Sequence, residues 1–216
     1  CMNLFAWHAE PQEPINPAKP QREVRALAKT IAWANPDVLA LQEVGSLTAL
    51  VDVNSLLEKP FPYVQLAETN SDRGIHLGFM SRFPFQLHSH RDWPLLGENG
   101  EPITDIAHPD GTTLEPLKLS RDIAVAELTG WTQRPAAPLF IACVHLKSAG
   151  KRPWNTLSPL AVRTAEVCVL ANVVDDLQQR MPDSPLIALG DFNDNPTSTA
   201  FEALEHLKTG ALYDPV

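Results

Sequence analysis

The sequence predicts an α/β sandwich: one domain with two central sheets flanked by helices and a functional site at one end of the strands. Three observations carry this. Short apolar runs of strand length alternate with longer segments of helical period. Several of those runs are apolar on both faces, as strands covered on each side must be. The 216 residues, 44% hydrophobic and 20% charged, suit a single globular domain and exclude a disordered or fibrous chain. No repeat, low-complexity run or linker divides them.

The first element is a helix over Gln21 to Asn35, where Val24, Leu27, Ala28, Ile31 and Ala32 recur at helical spacing. Asn35-Pro36 ends it, because the residue before a proline is pushed out of the helical region. Asp37 to Glu43 reads as a strand. Ser46 to Lys59 reads as a second helix with Leu47, Leu50, Val51 and Leu57 facing inward. Ile75 to Ser81 is a strand, and Phe79 to His90 is expected to be two strands broken at Pro84 in a hairpin. Pro94 to Leu119, polar and loop-rich, is expected to run over the surface. Asp122 to Leu128 and Leu139 to Leu146 are further strands. The longest helix spans Pro159 to Met181, with Leu160, Thr164, Val167, Ala171, Val174 and Met181 as its stripe. Leu186 to Leu189 forms the last strand. A short helix follows Pro196, where Thr199 and Glu202 match a capping box.

Charge narrows the function. With 17 basic against 26 acidic side chains the net charge is -9, whereas a protein that coats nucleic acid indiscriminately would be basic. A polyanionic ligand must therefore be met by a local basic patch or by bound cations. No stretch approaches the roughly 18 uninterrupted apolar residues of a membrane helix. Cys1, Cys143 and Cys168 form neither a disulfide framework nor a CxxC metal knuckle.

Three apolar runs stop on a polar residue. Val38 to Gln42 ends in Glu43, Phe140 to Val144 in His145, and Leu186 to Gly190 in Asp191, with Asn193 two residues on. One such residue can simply reach water or cap the next loop. Three together resemble a site assembled from strand ends, since an unpaired carboxylate at the mouth of an apolar strand is costly unless it is paired or holds a cation. Phosphate-ester hydrolysis suits the set. Carboxylates hold a hard cation such as Mg2+ through oxygen, and the cation and a protonated imidazole stabilise charge building on phosphoryl oxygens.

In chain order, Met2-Asn3-Leu4-Phe5, Pro36 to Val44, Asp72 to Ile75 with Gly78 to Pro84, Ser120 to Val125, Val144 to Ser148 and Gly190 to Asp194 form a series. The series resembles the successive motifs of the endonuclease/exonuclease/phosphatase superfamily. Those metal-dependent phosphoesterases include DNase I-like nucleases, abasic-site endonucleases, sphingomyelinases and inositol-polyphosphate phosphatases. Gly190-Asp191-Phe192-Asn193 is the most specific piece. The resemblance implies a four-layer α/β sandwich with two mixed central sheets, hydrolysis of phosphodiesters, and Mg2+ or Mn2+ as cofactor. It implies Glu43 as the main metal ligand and Asn3 as a contact to the metal site or the phosphate. Asp191, beside the metal, would orient or deprotonate the attacking water, with Asn193 helping to place it. His145 and Arg121 would stabilise the pentacovalent transition state. Arg121 is open to a second reading as an ion-pair partner of Asp122 or another carboxylate. Asp194 reads as a turn residue before Pro196.

Two features depart from the family pattern. Phe5 stands where abasic-site endonucleases carry an acidic residue, which argues against that branch. The family ends on a strand bearing an Asp-His pair, and nothing after Asp194 supplies it; His206 sits in the helical context Leu204-Glu205-His206-Leu207. Residues 1–216 are therefore expected to be one such domain truncated at both ends, binding metal weakly, marginally stable, prone to aggregate and showing little or no hydrolysis.

Lys147, Lys151 and Arg152, with Trp154, follow His145 in a loop that could track a phosphate backbone and stack a base, or could be solvated. The His145-Leu146-Lys147-Ser148 form resembles bacterial secreted-type nucleases more than inositol phosphatases. His88 and His90 alternate onto one strand face but lack the further ligand that zinc requires nearby, so they read as surface histidines. The expected activity is that of a Mg2+-dependent nuclease acting on DNA or RNA, monomeric and without a transmembrane segment. The alternatives are a phosphatase or phospholipase of the same fold, which the acidic charge suits, and a catalytically incomplete binding domain. The compartment stays open, with secretion or the periplasm among the options.

Overall fold

In the computed structural model, which describes residues 18–104, 115–132, 137–149 and 157–205, helix α1 (Ala18–Ala34) ends where the sequence requires. Asn35 takes a left-handed φ of 45°, and its N–H reaches the Ile31 carbonyl at 2.8 Å. Strand β1 (Val38–Val44) leads through the N-cap Ser46, whose Oγ accepts from Ala49 N, into α2 (Leu47–Ser55). Then come β2 (Tyr63–Ala67), β3 (His76–Ser81), β4 (Phe85–Ser89), β5 (Ile123–Leu128), β6 (Leu139–His145), α3 (Pro159–Arg180) and β7 (Leu186–Asp191). A 3-10 turn (Thr199–Phe201) and α4 (Glu202–Glu205) close the described chain, and Ser198, not Thr199, caps that turn.

Two sheets result. One is antiparallel in the order β1-β3-β2; the other, β4-β5-β6-β7, is mixed, with β6 and β7 parallel and joined by α3. A parallel pair needs such a crossover, because a tight turn cannot bring the chain back to the same end. The expected hairpin over Phe79 to Pro84 and beyond does not form, since β3 and β4 lie in different sheets. The corner between them is fastened to the first sheet. Arg82 N donates to Asp37 O at 2.8 Å, and its Nη1 donates to Lys59 O and Pro60 O at 2.7 and 2.9 Å. Strand β2, which is not among the elements expected from the sequence, is only five residues long and follows Pro60 and Pro62, and antiparallel pairing with β3 fixes it.

Four layers follow from three apolar clusters. Val24, Ala28 and Ile31 of α1 and Leu50 and Val53 of α2 pack on Val44 and Met80 of the first sheet. Gly78 leaves room for this, because a Cβ there would stand 2.8 Å from Leu50 Cδ1. Leu77 and Phe79 meet Ala124, Ala126 and Cys143 between the sheets. Val162, Val169, Leu170, Val173 and Leu177 of α3 cover Val125, Ala142 and Val144.

Some expected faces are corrected. Leu47 and Val51 of α2 are exposed, and so is Leu160 of α3; Ala49 and Val53 take the inward positions in α2. The segment after Pro94 is more than a surface excursion: Leu95, Leu96 and Leu119 plug into the α3 layer, and isolated bridges tie Pro94 to Lys118 and Thr104 to Pro116. No helix among the described residues is long and apolar enough to cross a membrane.

Candidate functional site

Strand direction brings the polar residues together. β5 is antiparallel to β6 with Ile123 opposite Val144, and β6 is parallel to β7 with His145 opposite Asp191. The start of β5 and the ends of β6 and β7 therefore share one edge, which gathers Arg121, His145, Asp191 and Asn193. The end of β1 joins them from the other sheet, where Gln42 Nε2 reaches Cys143 Sγ at 3.1 Å across the sandwich. Burial pushes the Cys143 thiol up to about 12, so it stays protonated and inert.

Glu43 sits in an irregularity of the β1–β3 ladder between Leu41 and Val44 and takes a left-handed φ of 57°. Such a φ is strained for a residue with a Cβ, and bulges re-aim side chains at functional edges. Among the described residues no hydrogen bond or ion pair reaches its half-buried carboxylate. Asp191 Oδ1 accepts from Asn193 N at 2.9 Å, and His145 Nε2 lies 3.9 Å from Asp191 Oδ2. Asn193 shares the left-handed conformation, at φ 53°, and its Nδ2 donates to Leu146 O at 2.9 Å.

His145 is 3% exposed. Burial, then the Arg121 guanidinium, drive its pKa down to about 4 against the opposing pull of Asp191. Burial and Arg121 thus work against the protonated imidazole expected from the sequence. Arg121 is also buried, and it does not pair with Asp122. Its Nη1 donates to the carbonyls of His145 at 3.3 Å and Leu146 at 2.7 Å, while its buried Nε meets no partner among the described residues. Arg121 therefore braces the chain leaving β6 and keeps donor capacity in reserve.

The sequence profile of the endonuclease/exonuclease/phosphatase family matches residues 7–209. The chain belongs to that family. Solved structures agree in fold: a mannosyl-6-phosphatase of Bacteroides thetaiotaomicron (TM-score 0.55, 15% identity, 89% of this chain and 65% of that one), the human Nocturnin catalytic domain with bound sulfate (0.54, 20%, 85% and 62%), and sphingomyelinase C of Streptomyces griseocarneus (0.54, 15%, 84% and 61%). The chain thus spans under two thirds of the length of these structures. No curated protein matches it by sequence.

Asn3 of the family reading, Lys151, Arg152 and Trp154 of the basic loop, and His206 lie outside the described residues. Lys147 is held by its main chain, its N–H to Glu166 Oε2 at 2.7 Å and its carbonyl to Arg163 Nη1 at 3.1 Å. Asp194 is more than a turn residue, since Arg163 Nη2 and Nε reach its Oδ2 at 2.8 and 2.9 Å. Arg73 is a site neighbour that sequence reading left without a role. The β1–β3 register sets His76 opposite Val44, so the turn carrying Arg73 reaches this edge, and its charge acts on both His145 and Arg121. His88 does not stand free on the surface: its Nε2 meets Glu127 Oε2 at 2.9 Å, and His90 Nδ1 meets Ile123 O at 2.7 Å.

The oxygen donors at this edge fit a hard divalent cation of the Mg2+ type, which is commonly held by one or two carboxylates and otherwise by water. No group of three His, Cys, Asp or Glu side chains able to hold a metal occurs among the described residues; Glu43 and Asp191 are carboxylates whose charges both act on Arg121 at this edge.

Asp122, next to Arg121, accepts from Ser89 Oγ and His90 N, both at 2.8 Å, and burial raises its pKa to about 6. Its unfolded value is near 3.9. The folded chain therefore binds more protons than the unfolded one between about pH 4 and pH 6, and this group's contribution falls as pH rises through that window. Two units correspond to about 3 kcal/mol at most. Asp122→Asn can still accept from His90 N and donate to Ser89 Oγ. Denaturant titrations should show the variant gaining on the wild type from pH 4 to pH 6 and holding that gain above. A difference independent of pH would refute the assignment.

Proposed function

We propose that this family member is a divalent-metal-dependent phosphodiesterase acting on nucleic acid. The observation that carries the reading is the convergence of Glu43, His145, Asp191 and Asn193 from the ends of β1, β6 and β7 on one edge. Glu43, with Asp191 in reach, would hold Mg2+ or Mn2+. When bound, the ion would neutralise charge on a phosphoryl oxygen. Asp191 Oδ2 accepts a proton from water placed beside it, its Oδ1 being fixed by Asn193 N. His145 donates a ring N–H to the reacting phosphate. Lys147, with Lys151 and Arg152 from the sequence, supplies cations for the neighbouring phosphates of a strand, which favours a nucleic acid over a small phosphate ester.

The test compares plasmid DNA, RNA, sphingomyelin and inositol phosphates with Mg2+ or Mn2+ in the full-length protein. Turnover of the nucleic acids above the others supports the reading; preference for the lipid or inositol phosphates replaces it. Metal should also raise Tm, because a ligand that binds only the folded state stabilises it. Glu43→Gln is expected to abolish that rise while keeping the fold, and an unchanged rise would remove Glu43 from the metal site.

A further inference from the structure

Helix α3 carries two buried charged residues one turn apart on its otherwise apolar inner face. Glu166 is 1% exposed and Arg163 6%. Burying charges inside a helix interface is costly unless every donor and acceptor is matched. Both are matched, and their partners are all loop segments at the strand ends. Glu166 Oε1 accepts from Ser120 N at 3.1 Å and from Ser120 Oγ, and its Oε2 accepts from Lys147 N. Arg163 binds Asp194 and donates to the Lys147 carbonyl. The Lys147 residue is thus gripped at its N–H by one side chain and at its carbonyl by the other.

Each gripped residue adjoins a candidate site residue. Ser120 precedes Arg121, Lys147 lies two residues after His145, and Asp194 follows Asn193. The last backbone bonds before Ser120 and Lys147 are Leu119 N to Trp93 O and Leu146 N to Asp191 O. Ser120, Lys147 and Asp194 lie just past the strands, where the two α3 side chains take hold of them. A simple helix-to-sheet contact would have used apolar side chains, as Val162, Val169 and Val173 do on the same helix.

We propose that Glu166 and Arg163 are positioning residues which hold the Arg121, His145 and Asn193 segments in the geometry for phosphodiester hydrolysis. This rests on the reading given under Proposed function. Neither residue touches the reacting atoms; each acts through the segments it holds, by backbone and side-chain bonds, and Glu166 also sets its charge near Arg121. Outer partners of this kind affect activity roughly 10- to 100-fold when removed.

The experiment measures hydrolysis of bis(p-nitrophenyl) phosphate with Mn2+, together with amide hydrogen exchange, in the full-length wild type, Glu166→Leu, Glu166→Gln and Arg163→Met. Glu166→Leu keeps an apolar fit but removes all acceptors. It is expected to lower kcat about 10- to 100-fold with KM within about twofold, and to speed exchange at Ser120 and Lys147 while the β5 and β6 amides keep their protection. Glu166→Gln keeps one acceptor oxygen and should recover most of the rate. Arg163→Met should lower kcat and speed exchange around Asn193, and it reads the inference if Glu166→Leu does not fold. Unchanged kcat in Glu166→Leu and Arg163→Met, or unchanged exchange at Ser120 and Lys147, would overturn the proposal. A wild type without hydrolysis would instead sink the phosphodiesterase reading. The exchange data would then still decide whether the two side chains hold these segments, faster exchange upholding that and unchanged exchange refuting it.

Discussion

His145→Ala is expected to lower kcat about 10²- to 10³-fold, the usual effect of deleting one preorganised hydrogen-bond donor to a developing oxyanion. The ring has little freedom to be replaced by water. It is 3% exposed, its own carbonyl is held by Arg121, and the next residue bonds across to β7 through Leu146 N to Asp191 O at 2.9 Å. The ring beside Arg121 can donate an N–H, and a contact to the phosphate strengthens as the transition state gathers negative charge. KM should therefore change much less than kcat. Steady-state kinetics of the variant with a phosphodiester decide the matter. A raised KM with an unchanged kcat would make His145 a ground-state binding contact instead.

How much of this is legible from sequence depends on what each residue answers to. The strands that end in Glu43, His145 and Asp191 are readable because local apolar runs and their polar terminators lie on adjacent residues. The four layers are readable for the same reason, as helices and both-faced strands alternate. β2 is not, because Tyr63–Ala67 is a short run directly after Pro62, and its register with β3 is what sets it in the sheet. The corner at Pro84 reads as a hairpin since nothing local says that β4 joins the other sheet. Glu166 and Arg163 lie off the helical stripe that the sequence shows, and only the fold places Ser120, Lys147 and Asp194 against them. Arg73 needs the β1–β3 register in the same way. Chemistry carried on one strand end shows in the sequence, whereas support supplied from another element does not.

Gly190→Ala should be the most damaging single change to the fold. Gly190 has φ 140°, in a region closed to side-chain-bearing residues. A Cβ there would stand 2.0 Å from the Val144 carbonyl oxygen, which is backbone and cannot swing aside. Val144 is its register partner in the parallel β6–β7 pair. To relieve the clash β7 must move off β6, one residue before Asp191, so the Leu146–Asp191 bond and the His145–Asp191 juxtaposition would go together. The expected cost exceeds about 4 kcal/mol, the size reserved for strain and overpacking at a special backbone position. Gly74 provides the control. Its φ of 64° is also left-handed, but nothing lies within 4 Å of where a Cβ would stand, so Gly74→Ala should cost only about 1–2 kcal/mol. Chemical denaturation of the two variants separates the terms. If Gly190→Ala proved no worse than Gly74→Ala, β7 would be free to shift, and close contact of the two backbones could not be what sets Asp191 beside His145. If the gap is as large as expected, the glycine of the Gly190-Asp191-Phe192-Asn193 motif is there to let two strands approach closely enough for their terminal side chains to work as one site.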